Sequence, residues 1–104
     1  MDKIVFITGA SSGIGAGCAR KFASQGASLI LNARNVNKLS ALKEELEKQY
    51  GAKIYLLPFD VRDRKAATSA LESLPKEWQS IDILVNNAGL VIGTDKEQEG
   101  SLDE

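Results

Sequence analysis

Thr8-Gly9-Ala10-Ser11-Ser12-Gly13-Ile14-Gly15 is the stretch whose reading decides the fold, because it joins two segments of different periodicity. Before it lies Ile4-Val5-Phe6-Ile7, a short β-branched run with no polar face, as expected of a strand covered on both sides. After it, Ile14, Cys18 and Phe22 recur every fourth residue with Ala19 beside them, which predicts a helix carrying these side chains inward. Gly26 is the expected C-cap of that helix.

The same alternation continues outward. Residues 28–33 hold a second apolar run, Leu29-Ile30-Leu31, and Asn35 or Asn37 then offers an N-cap for a longer helix. That helix is expected to bury Val36, Leu39, Leu42, Leu46 and Tyr50, with a Glu44–Lys48 pair on its wet face, and to end at Gly51. Residues 53–59 read as a third strand, and Asp63 can cap a third helix that turns Ala67, Ala70, Leu71 and Leu74 inward and stops at Pro75. Residues 81–85 form a fourth apolar run, closed by Asn86-Asn87-Ala88-Gly89. Short apolar runs alternating with amphipathic segments mean βαβ units. The expected fold is therefore α/β, the N-terminal half of a doubly wound parallel sheet with about four strands and three helices.

Composition narrows the chemistry. The chain has 104 residues, 13 basic and 14 acidic side chains, one Cys and no His. Near-zero net charge gives no broad basic field for nucleic acid. One Cys excludes an internal disulfide framework and a multi-Cys zinc site, so no metal site is expected. Without His there is no Ser-His-Asp or Cys-His pair among these residues. The four apolar residues at the N-terminus are far short of the roughly 7–15 of a signal peptide or the roughly 20 of a membrane span, so a cytoplasmic protein without membrane contact is expected. Residues 1–93 are read as a partial dinucleotide-binding domain. Residues 94–104, rich in Asp and Glu, are read as an acidic polar loop leading to a helix that lies beyond them.

The glycine loop follows G-x-x-x-G-x-G, without the Gly-Lys-Ser/Thr of a P-loop. Glycine serves at a strand–helix turn where backbone must bend sharply and approach a diphosphate with no Cβ between, and the helix N-terminus supplies free N–H groups. Glycines at such a turn can equally serve packing alone. The end of the second strand is an independent indicator. A dinucleotide fold that selects NAD places an acid there for the ribose 2′-OH. Here the strand runs Leu31-Asn32-Ala33-Arg34, with no acid, and an Arg can clamp a 2′-phosphate. NADP is the expected cofactor in preference to NAD.

Three stretches together carry a family resemblance. The glycine loop, Asp60-Val61 and Asn86-Asn87-Ala88-Gly89 resemble the N-terminal signatures of the short-chain dehydrogenase/reductase family, in the same order and at strand ends. The resemblance implies a Rossmann-like fold. It assigns Gly9, Ser11, Ser12, Gly13, Ile14 and Gly15 to the pyrophosphate cradle, with Arg34 and Asn35 at the 2′-phosphate end. It assigns Asp60 and the Val61 backbone to adenine, and Asn87, Ala88 and Gly89 to the cofactor's ribose. Residues 74–90, with Trp78 among them, are similar to the branch acting on 3-hydroxy acids such as serine and allo-threonine. Trp78 can also be read as a packing residue under the third helix.

The family's Tyr-x-x-x-Lys pair has no counterpart here, since Ile54 lies four residues after Tyr50 and Phe59 four after Tyr55. No catalytic residue is assigned. The expectation is an N-terminal fragment of an NADP-dependent oxidoreductase that binds a dinucleotide and a small alcohol or carbonyl substrate, inactive alone, whose intact form is a homo-oligomer. The alternative is a free-standing, non-catalytic NADP-binding or regulatory module. Against the module stands the fourth apolar run, which an order 3-2-1-4 would leave exposed at a sheet edge.

Overall fold

The computed structural model describes residues 2–88. Gly89 and the acidic residues 94–104 lie outside them. Four parallel strands, β1 (Ile4–Thr8), β2 (Ser28–Leu31), β3 (Ile54–Leu56) and β4 (Ile83–Asn86), form one sheet in the order β3-β2-β1-β4. Helices α1 (Gly13–Ser24), α2 (Val36–Tyr50) and α3 (Arg64–Glu72) connect them, with a 3₁₀ turn at Lys76–Trp78 before β4. Each helix begins at a side chain that satisfies a first-turn N–H: Ser12 for α1, Asn35 for α2, Asp63 for α3. Gly51 closes α2 at φ +66°, a left-handed conformation that costs glycine nothing. Gln25 is the C-cap of α1, and Gly26 follows at φ +87°.

Strand alternation divides the interior in two. Val5, Ile7, Leu29 and Leu31 face α1 and α2, where Ala19, Ala23, Leu39, Leu42 and Leu46 complete one core. Phe6 and Ile30 point the other way, into a core with Leu57, Phe59, Ala67, Leu74 and Trp78. Trp78 is a buried packing residue, 5.6 Å from the Tyr55 ring, with the Lys53 ammonium over its face. Arg20 on α1 makes a two-pronged contact with Glu45 on α2 (Nε–Oε2 2.7 Å, Nη2–Oε1 3.2 Å), tying the two helices on that face together.

Several expectations change on contact with the structure. Ile14, Val36 and Tyr50 are exposed rather than inward, and each sits in a terminal turn of its helix. The ion pair along α2 is Lys43–Glu47 at 2.8 Å, not Glu44–Lys48. The third strand holds only Ile54–Leu56, because the chain then bends toward the site, and α3 ends at Glu72, capped by Ser73 ahead of Pro75. All four residues of β4 are half-buried, as befits the sheet edge.

Candidate functional site

A parallel sheet brings every strand exit to one rim, and here the three motifs converge on it. At the exit of β1 the chain turns at Gly9 with φ +64°. The Ser12 hydroxyl donates to the Gly9 carbonyl at 2.8 Å and accepts the Gly15 N–H at 3.0 Å, closing the loop onto the start of α1. The Ala10 N–H donates to the Asn32 carbonyl at 2.8 Å, which ties the loop to the end of β2. From β4, Asn86 accepts the Thr8 hydroxyl at 2.9 Å, Asn87 donates to the Thr8 carbonyl at 3.2 Å, and the Ala88 N–H donates to Thr8 Oγ1 at 3.1 Å. Thr8 is thus the pin between the glycine loop and the Asn-Asn-Ala segment.

The glycines divide by role. A Cβ on Gly15 would overlap the Gly9 carbonyl and lie 2.9 Å from Ala10 Cα, so Gly15 lets helix and loop pack. A Cβ on Gly13 would meet nothing within 4 Å. Packing therefore explains Gly15 and leaves Gly13 free for a ligand. The first-turn N–H groups of Gly13 and Ile14 have no intrahelical partner and face an anion-favouring helix end.

Beside the loop lies a cleft of about 350 Å³ whose walls include Gly9, Ser11, Arg34, Asp60, Val61 and Ala88. Asp60 accepts three hydrogen bonds from Arg62, from the backbone N–H at 2.9 Å, Nε at 3.1 Å and Nη2 at 2.9 Å. Those bonds hold its carboxyl at about 2, and the neighbouring Arg34 adds a weaker pull in the same direction. Arg34 Nη1 stands 3.8 Å from Asp60, too long for a hydrogen bond. Next to the cleft, a second recess of about 460 Å³ is lined by Ser11, Arg34, Asn35 and Lys38. Among the described residues it is lined by two cations and no acid.

Except for Gly89, which lies outside the described residues, the residues singled out from sequence gather at this rim: the glycine loop, Arg34, Asn35, Asp60, Val61, Asn87 and Ala88. Five neighbours escaped sequence reasoning: Asn32, Ala33, Lys38, Phe59 and Arg62. Asn32 is 1% exposed, and its amide donates to the carbonyls of Leu57 and Phe59 at 3.0 and 3.1 Å while its Oδ1 has no partner. The available signal was a polar residue ending an otherwise apolar run. For Lys38 it was a cation three residues past a helix cap.

A family model described as short chain dehydrogenase matches residues 3–104. The chain belongs to the short-chain dehydrogenase family. It is 43% identical over 101 residues to an NADP-dependent 3-hydroxy acid dehydrogenase (YdfG) of Escherichia coli, covering 97% of this chain and 39% of that protein. The chain therefore spans about two fifths of the length of the curated relative it matches. Among solved structures, L-sorbose reductase from Gluconobacter frateurii, complexed with NADPH and L-sorbose, superposes with a TM-score of 0.78 at 38% identity, over 85% of this chain and 34% of that one. Serine dehydrogenase from Escherichia coli superposes with a TM-score of 0.75 at 46% identity, over 85% and 39%. Membership in the short-chain dehydrogenases agrees with the observed strand order and with the gathering of the three motifs at one cleft. No helix among the described residues is long and apolar enough to cross a membrane.

Proposed function

We propose that residues 1–93 form the cofactor-binding part of an NADP-dependent oxidoreductase acting on a small alcohol or carbonyl substrate of the 3-hydroxy acid class. The observation that carries the reading is the recess holding Arg34 and Lys38 without an acid at the exit of β2. A 2′-phosphate needs charge-assisted donors there, whereas a bare ribose hydroxyl needs an acceptor. Three further features fit a dinucleotide: the open space at Gly13, the unpaired N–H groups at the start of α1, and the partnerless Asn32 Oδ1 in the cleft wall.

In this reading the first turn of α1 holds the pyrophosphate, with Gly9, Ser11, Ser12, Gly13, Ile14 and Gly15 shaping the approach. Arg34, Asn35 and Lys38 hold the 2′-phosphate. Asp60 and the Val61 N–H face the adenine, and Asn87, Ala88 and Gly89 border the ribose. A bound nicotinamide would exchange hydride with the substrate's alcohol or carbonyl carbon. The residues described here bind and orient it, and the proton transfer falls to residues not in this chain. The 3-hydroxy acid dehydrogenase and the NADPH-bound L-sorbose reductase support the cofactor, and the 3-hydroxy acid and serine dehydrogenases support the substrate class. A cytoplasmic location and self-association of the full-length protein complete the proposal.

The test is turnover by the purified full-length protein, followed by absorbance of the reduced nicotinamide with serine and other 3-hydroxy acids. NADP-dependent turnover is expected, with NAD giving far less. Tight binding of NADPH with no turnover on any hydroxy acid or alcohol would favour a non-catalytic module instead.

A further inference from the structure

Asp60 is the only acid among the described residues lining the cleft, and it sits where a 2′-phosphate is least helped by it. Its Oδ2 is 3.8 Å from Arg34 Nη1, so a phosphate drawn to Arg34 approaches a fixed like charge. The same carboxylate also competes for Arg34. Neither effect touches a cofactor without the 2′-phosphate, because a ribose hydroxyl carries no charge.

Arg62 answers both problems. It occupies both oxygens of Asp60 with its guanidinium and takes a third bond through its own backbone N–H, all at 2.9–3.1 Å. Both arginine side chains are largely exposed, 69% for Arg34 and 75% for Arg62, but Arg34 makes no hydrogen bond to Asp60. Between the two arginines, the short fork from Arg62 takes the carboxylate and the long contact leaves Arg34 available.

We propose that Arg62 is a positioning residue for cofactor choice, cancelling the Asp60 charge so that Arg34 can engage the 2′-phosphate. Its contribution falls on NADPH and spares NADH. It acts through Asp60 rather than by touching the phosphate. This rests on the reading of Arg34 as a 2′-phosphate clamp, and the experiment separates the two.

Dissociation constants of NADPH and NADH are measured by fluorescence titration on the full-length protein, as wild type, Arg62→Gln, Asp60→Asn and the double variant. The ratio of the two constants is the readout, since any general damage to the adenine site cancels in it. Wild type is expected to prefer NADPH. Arg62→Gln is expected to shrink that preference about five- to tenfold, the scale of one uncompensated like charge at a partly exposed site. Asp60→Asn in the Arg62→Gln background is expected to restore the ratio. An unchanged ratio in Arg62→Gln overturns the proposal, because a purely structural Arg62 weakens both cofactors alike. A ratio that stays low in the double variant also overturns it, because Arg62 then contacts the phosphate directly. If wild type shows no preference for NADPH, the clamp reading fails first and this proposal falls with it.

Discussion

The exits of β2 and β3 are adjacent in one parallel sheet, and each leads within a few residues to the cap of a helix, yet only the second of these two connections carries acids. Beyond β2 stand Arg34, the cap Asn35 and then Lys38, which together line a recess without an acid. Beyond β3 stand Asp60, Arg62 and the cap Asp63, and there the acid is satisfied by its own neighbour. The two connections also differ in length: three residues separate Leu31 from the cap Asn35, and six separate Leu56 from the cap Asp63. A doubly wound sheet supplies a rim, and in the proposed reading a few residues at each strand exit suit one exit to a phosphate and the other to a base.

The most severe way to break the comparison is to disturb the loop that both exits lean on. Gly15→Ala drives a Cβ into the Gly9 carbonyl, and it is expected to lower stability by about 3 kcal/mol, the upper end of overpacking costs, read by chemical denaturation. A Cβ at Gly13 meets nothing within 4 Å, so Gly13→Val is expected to fold and to lose both NADPH and NADH in titration. Arg34→Ala removes the leading charge at the β2 exit alone. It is expected to weaken NADPH by about 1.5–3 kcal/mol, roughly ten- to a hundredfold, with little change for NADH. Asn32→Ala frees the carbonyls of Leu57 and Phe59 and unties the two exits from each other, an expected loss of about 1–2 kcal/mol in thermal unfolding.

The smallest effect is one of pH. The Asp60 carboxyl is held at about 2, below the ordinary value of about 3.9, chiefly by the hydrogen bond from the Arg62 side chain. A depressed folded value means stability fully present above pH ~4 and lost as pH falls through ~2. The unfolding midpoint of Asp60→Asn is therefore expected to fall less than that of wild type across this interval.

Much of this was legible because it is local. The cap Asp63, a cap at Asn35 or Asn37, the glycine ending α2 and the apolar runs each act within a few residues, so the order of elements and these helix ends follow from local spacing. What was not legible depends on partners distant in sequence. Periodicity names the inner face of a helix but not how far along the helix that face is covered, and Ile14, Val36 and Tyr50, each in a terminal turn, emerge exposed. Residues 57–59 look like strand, yet there the backbone gives two carbonyls to the Asn32 amide, across 25 and 27 residues. Lys38 joins Arg34 only because α2 begins directly beside the exit of β2. For Arg62 the neighbour Asp60 was in plain view, but its hold on that carboxylate depends on a side-chain fork that no spacing encodes.

The most direct measurement of the central claim is the affinity of the full-length protein for NADPH against NADH, before and after Arg34→Ala. A marked preference for NADPH that collapses in the variant is the predicted result. Equal affinities in the wild type, or a preference that survives the loss of Arg34, would contradict the assignment of the β2 exit to a 2′-phosphate.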